Sequence, residues 1–160
     1  MAAADWPAVA RIYRAGIDAG DATFEQAVPA FEDWSRARLA EPRLVARNET
    51  GEVCGWAALS PTSARPVYRG VAEVSVYVAP AAVRRGVGRA LLERLIEDSE
   101  RAGLWTLTAG IFLENEASIA LHRRCGFRLL GVRCRVGQMA NGRWRDVALY
   151  ERRSPIVGQQ

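Results

Sequence analysis

The chain has 160 residues, 49% of them hydrophobic, which is enough for one domain with its own apolar core and no disulfide or metal staple. The formal net charge is +4, but the 22 basic residues are all arginine and scattered, which argues against a nucleic-acid partner and fits a GC-rich codon bias. No apolar run approaches the roughly 18 residues of a membrane span, the N-terminus lacks a signal peptide's basic and apolar regions, and Cys54, Cys125 and Cys134 have no metal spacing. Reduced thiols in the cytoplasm, with neither membrane nor metal, are expected.

A first amphipathic helix is expected from Asp5, its N-cap, with Pro7 in the first turn and Val9, Ile12 and Tyr13 on the buried face. The loop Gly20 to Glu25 follows, then a second helix from Pro29 to Ala40. Strands are expected at Arg43 to Asn48 and Val53 to Leu59 around the turn Glu49 to Glu52. A Pro/Ser/Arg-rich loop from Ser60 to Arg69 precedes a longer strand, Val71 to Ala79. Leu91, Leu92, Leu95 and Ile96 share one face of a helix from Gly86 to Ala102, which Gly103 stops. The remaining elements are a strand from Trp105 to Phe112, a helix from Asn115 to Arg124, and strands from Phe127 to Val136 and Asp146 to Glu151. The domain spans residues 1–153, and the tail 154–160 is expected to fray. This order of elements implies an α/β protein with a twisted mixed sheet flanked by helices.

The segment Val83-Arg84-Arg85-Gly86-Val87-Gly88 carries the strongest chemical signal. A strand ends just before it and a strong helix begins within it. Gly86 and Gly88 let the backbone approach a ligand, and the helix adds the positive end of its dipole, so an anion such as a pyrophosphate fits. A Walker loop is ruled out by the missing Gly-Lys-Ser/Thr, and a dinucleotide loop by Leu91 at the third glycine position. A plain strand-to-helix turn would also use these glycines.

Further along, Glu73, Ser75 and Tyr77 fall on the strand face opposite to Ala72, Val74, Val76 and Val78. Glu73 there is either a solvated residue, an arginine partner or a base lining a cleft. His122 is the single histidine, and Asn115 stands where a helix cap is needed.

The loop above, together with Ala22-Thr23-Phe24-Glu25, Glu73 to Val78, Asn115 to His122, Cys125-Gly126-Phe127 and Gly142-Arg143-Trp144-Arg145-Asp146-Val147, resembles the GNAT superfamily of N-acetyltransferases. The likeness covers nearly the whole chain and points to the branch that acetylates phosphinothricin and methionine sulfoximine. Two departures stand out. Val83 occupies a position that is usually Gln or Arg. The chain also begins almost at its first helix, where relatives open with a strand, so that strand is short or missing or the start lies upstream.

The resemblance implies an α+β type of α/β fold with a mixed, mostly antiparallel sheet. It implies acetyl-CoA as cosubstrate, its pyrophosphate on the amides of Arg84, Arg85, Gly86, Val87, Gly88 and Arg89, with Asn115 touching the CoA arm. A bulge and splay of the strand Val76-Tyr77-Val78 would free backbone groups for the thioester. Glu73 becomes the base and His122 the acid that protonates the thiolate, for which a pKa near its ordinary value of roughly 6.5 is suited. A glutamate of pKa roughly 4.3 is a weak base, so a bridging water or a raised pKa would be needed.

Phe24, Glu25, Arg65 and Tyr68 are expected around the substrate, with arginine gripping a carboxylate or phosphinate and Glu25 an ammonium. The expected activity is N-acetylation of a small amino-acid-like amine by direct attack in a ternary complex, in a homodimer. The alternatives are a polyamine, an aminoglycoside or a protein N-terminus as acceptor, or a non-catalytic acyl-CoA-binding domain.

Overall fold

The computed structural model describes residues 1–159. It opens with a 3-10 turn, Ala3–Asp5, followed by α1 (Trp6–Asp18) and α2 (Phe31–Arg36). Three strands come next, β1 (Arg43–Arg47), β2 (Val53–Pro61) and β3 (Val71–Val78). After them run α3 (Val87–Arg101), β4 (Thr106–Phe112), α4 (Glu116–Arg124), β5 (Arg128–Gln138) and β6 (Trp144–Arg153). Among the described residues the strands form one sheet of order β1-β2-β3-β4-β6-β5, antiparallel except between β3 and β4. This is the mostly antiparallel mixed sheet expected. Among the described residues, no helix is long and apolar enough to cross a membrane.

Period-two alternation divides the core between the faces of the sheet. Ala57 and Leu59 of β2, Ala72 of β3 and Leu107, Ala109 and Ile111 of β4 meet the stripe Leu91, Leu92, Leu95 and Ile96 of α3. Trp56 and Ala58, one residue out of phase, meet Val9, Ile12 and Tyr13 of α1 and Trp34 of α2. Each large apolar side chain fully buried in these layers contributes about 1.5–3 kcal/mol.

Three local features differ from the sequence expectation. Asp5 does not cap α1: its carboxylate accepts the N–H of Ala2 (2.8 Å) and pairs with Arg47. Pro7, the second helical residue, has removed one of the N–H groups that a cap would engage. The Ala2 bond holds the Asp5 carboxyl below its usual range.

The second helix stops at Arg36 rather than Ala40, because Arg43 satisfies the carbonyls of Ser35 (2.7 Å), Arg38 (3.2 Å) and Leu39 (2.7 Å) in place of further helical N–H groups. The tail, expected to fray, is tied down as far as Gln159. The buried Ser154 accepts the N–H of Val157 (3.0 Å), and its own N–H reaches Trp105 O (2.9 Å). Gln160 lies outside the described residues.

Candidate active site

The site is built by a failure of strand pairing. β3 and β4 run side by side only through Val71↔Thr106, Ala72↔Leu107 and Glu73↔Thr108. Beyond that point β3 stays with β2 as far as Gly55↔Val78, while β4 stays with β6 as far as Phe112↔Val147. The β2–β3 register is continuous, so the strands part without the bulge that the resemblance implied. The parting leaves the facing backbone edges of Val74–Val78 and Ala109–Phe112 without ladder partners and opens a cleft of 1370 Å³. Its closed end is tight: a side chain at Gly70 would meet the Trp105 ring at 2.1 Å, and Gly70 O accepts the Trp105 N–H (2.8 Å).

One end of the cleft is made for an anion. Arg84 and Gly86 are both left-handed (φ 62° and 81°), a kind of backbone turn that can bring successive N–H groups onto one anion. The N–H groups of Val87, Gly88 and Arg89 open that helix and have no carbonyl a turn earlier to bond within it. Gly88 lets the helix close on its neighbours, since a Cβ there would already touch Leu121 and Val78 at 3.4 Å. Arg84, Gly86, Val87, Gly88 and Arg89 line the cleft; the exposed Arg85 does not.

Glu73 sits at the last paired position, exposed in the cleft. Thr106, Thr108, Gly110 and Phe112 alternate onto its face of the sheet, and a methyl group at Gly110 would lie 3.4 Å from Glu73 Oε1. The glycine therefore keeps space open beside the carboxylate. Val76, Tyr77 and Val78 also line the cleft. Burial pushes the Tyr77 hydroxyl far above its ordinary range, so it stays protonated.

His122 is 2% exposed, borders the cleft and packs edge-on against Phe127. Its Nδ1 lies 2.8 Å from Ser118 O, a carbonyl that can only accept, so Nδ1 carries a proton. Burial lowers its pKa, partly offset by that bond, and Nε2 has no partner in the protein. A neutral ring with its proton on Nδ1 presents Nε2 as an acceptor. That opposes the role of proton donor expected from the sequence.

Phe24 and Glu25 come to the cleft from the loop after α1. Arg65 and Tyr68 do not: Arg65 precedes and Tyr68 ends an exposed 3-10 turn, with the guanidinium 5.7 Å from the Tyr68 ring centre. Asn115 borders the cleft, but its Oδ1 caps α4 at the Ser118 N–H (3.0 Å) and its Nδ2 donates to Asp21 O (3.0 Å). Sequence reading missed Gly110, Gly137 and Arg133. Gly137 leaves room for Phe24, whose ring a Cβ there would meet at 2.4 Å. Arg133 pairs across the sheet with Val147, another cleft residue, and makes no ion pair among the described residues. Only the alternation along β4 could have revealed Gly110; the other two depend on contacts between distant segments.

Comparison with known proteins agrees with this geometry. The Acetyltransferase (GNAT) family matches residues 6–127. A phosphinothricin N-acetyltransferase of Alcaligenes faecalis is 39% identical over 155 residues, covering 92% of this chain and 77% of the relative. An L-methionine sulfoximine/L-methionine sulfone acetyltransferase of Pseudomonas paraeruginosa is 36% identical, over 92% of this chain and 88% of its own. The solved structure of a GNAT superfamily phosphinothricin acetyltransferase from Sinorhizobium meliloti, in complex with AcCoA, superposes with a TM-score of 0.89 at 33% identity. It covers 100% of this chain and 89% of that one.

The lowered pKa of His122 has a measurable consequence. In nitrogen-edited NMR the ring should titrate below the ordinary histidine value of roughly 6.5, with the neutral form carrying its proton on Nδ1. The unfolded chain binds the proton first, so this residue's contribution to stability is complete above about pH 6.5 and is lost as the pH falls. A ring that titrates at or above the ordinary value would overturn the assignment.

Proposed function

The chain belongs to the GNAT acetyltransferase family, and we propose that its cleft acetylates the amine of a small amino-acid-like substrate. Acetyl-CoA is the acetyl donor. The acceptors named for its relatives, phosphinothricin, methionine sulfoximine and methionine sulfone, define the substrate class. The observation that carries this reading is the parting of β3 and β4 beside Glu73, which puts free backbone donors and a carboxylate in one cleft.

The residues present fit the donor. The left-handed loop and the first amides of α3 would hold its pyrophosphate, and the free edge of Val74–Val78 would take the pantetheine arm. Bound there, acetyl-CoA supplies the thioester carbonyl that the amine attacks. Backbone N–H groups of β3 stabilise the charge that develops on that carbonyl oxygen. Glu73 takes the ammonium proton, through water that reaches its exposed carboxylate. With His122 Nε2 an acceptor, the thiolate receives its proton from the attacking nitrogen, which sheds a second one as the amide forms.

On the substrate side Phe24 offers an apolar wall, Glu25 a partner for the ammonium and Arg133 one for a carboxylate or phosphinate. Direct attack requires no acetylated cysteine, and Cys54, Cys125 and Cys134 are free, which supports a reducing, cytoplasmic setting. The exposed apolar residues Leu129, Leu130 and Val132 on the edge strand β5 support a homodimer formed across that edge.

Three measurements test the reading. With acetyl-CoA and a panel of amines, thiol release should be fastest on amino-acid analogues, and Glu73→Gln should lower kcat by about 10²–10⁴-fold while acetyl-CoA affinity holds. Near-wild-type turnover by that variant would remove Glu73 as the base. Gly88→Val should weaken acetyl-CoA binding in calorimetry with the fold retained, because its Cβ fits in ordinary contact with Leu121 and Val78 while the added bulk crowds the first amides of α3; unchanged affinity would move the pyrophosphate elsewhere. Light scattering should give twice the 17.6 kDa chain mass, and a single-chain mass across working concentrations would contradict the dimer.

A further inference from the structure

The loop between α1 and α2 contributes Ala22, Thr23, Phe24 and Glu25 to the cleft, yet it has no regular structure of its own to hold it there. Besides the Asn115 bond to Asp21 O, a buried cation from the other end of the chain holds it. Arg145, near the start of β6, is 2% exposed. Its Nη1 donates to Gly20 O (3.0 Å), and its Nη2 donates to both Asp21 Oδ1 (2.8 Å) and Glu114 Oε2 (3.0 Å). The guanidinium carbon lies 4.1 Å from the centre of the Phe112 ring, and Phe112 in turn meets Phe24 edge-on at 4.7 Å.

We propose that Arg145 is a positioning residue that sets the loop 19–25 as the substrate-side wall of the cleft. A buried cation is stable only when it is paired and hydrogen-bonded, so the guanidinium holds both carboxylates in place as much as they hold it. Glu114 lies two residues past the end of β4, and Asp21 lies in the loop, so the three charges tie the loop to the sheet. Arginine is required by the geometry, because three acceptors lie around one planar fork and its face rests on an aromatic ring. Lysine would offer a single point charge without that plane. Asp21 and Glu114 are 51% and 42% exposed, so removing the arginine leaves them to water and the fold survives.

This inference rests on the amine-binding reading of the cleft, and its test separates the two. In Arg145→Met, hydrogen–deuterium exchange of residues 19–25, read on the protein without substrate, should quicken while that of β2 and α3 does not change. In steady-state assays with the best amine, KM for the amine should rise about tenfold, the scale of one lost cluster of charge-assisted hydrogen bonds. The kcat and acetyl-CoA affinity should stay within a small factor. Asp21→Asn should shift the same KM in the same direction, and adding it to Arg145→Met should have little further effect. Arg145→Lys should restore part of the loss.

Unchanged loop exchange in Arg145→Met would overturn the proposal. So would a parallel fall of kcat, acetyl-CoA affinity and thermal stability, which is the mark of a purely structural residue. Loop exchange also decides the matter for a protein that turns over no amine in the panel, an outcome that would sink the substrate reading alone.

Discussion

Three paired residues hold the two halves of this sheet together. β1, β2 and β3 form one antiparallel half and β4, β6 and β5 the other, joined only at Val71, Ala72 and Glu73. The junction is parallel, and a parallel pair needs a long crossover, which α3 supplies. Trp105 closes the junction over Gly70, and the Thr108 hydroxyl reaches Ala72 O at 3.4 Å. Past Glu73 each strand keeps its antiparallel partner and abandons the other. The backbone groups left between them would cost about 1–3 kcal/mol each if buried without partners. An open cleft avoids that cost by giving them water or a ligand instead. The gap thus offers free backbone groups to an extended polar chain, the role proposed above for the pantetheine arm of acetyl-CoA.

The same gap explains why chemistry gathers where it does. Glu73 occupies the last position at which the strands still touch, so its backbone is rigid while its side chain reaches water. The anion end lies where β3 gives way to α3, and it stores strain: Arg84 is left-handed although it is not glycine. A non-glycine residue in that region costs on the order of 1–2 kcal/mol, and such strain tends to persist where backbone donors must face a ligand. His122 differs from both. Its burial lowers its pKa, and its Nδ1 is held at Ser118 O.

Much of this was legible in the sequence because the signals were local. The stripe of α3, the alternation of β3 and the glycines at 86 and 88 each follow from periods or turn chemistry within a few residues. Their observed positions agree with the reading made from them. What escaped depends on groups far apart in the chain. Arg43 shortens α2 by occupying carbonyls of Ser35, Arg38 and Leu39, and nothing in that helix's own sequence announces it. Arg65 and Tyr68 were expected at the cleft from motif position, whereas Arg133 reaches it only through its register with Val147. The burial of His122, which lowers its pKa, depends on elements packed around its helix and cannot be read from that helix alone.

Charge makes sense in the same way. The abundance of arginine reads as a compositional habit, and many arginines are indeed paired along helices, as Arg36 with Asp33 and Arg94 with Asp98. The cleft departs from that habit. Among the described residues Arg84 makes no ion pair, and Arg89 answers only Glu93 on its own helix. On the substrate side Glu25, Glu73 and Arg133 stand without ion-pair partners among the described residues. A polyanionic donor requires positive charge alone, and the α3 end offers the helix dipole with arginines. A zwitterionic acceptor requires both signs close together, and the loop side offers both. The cleft is therefore polarised along its length. In the proposed reaction, that polarity directs donor and acceptor toward opposite ends, with the reacting groups meeting where β3 and β4 part.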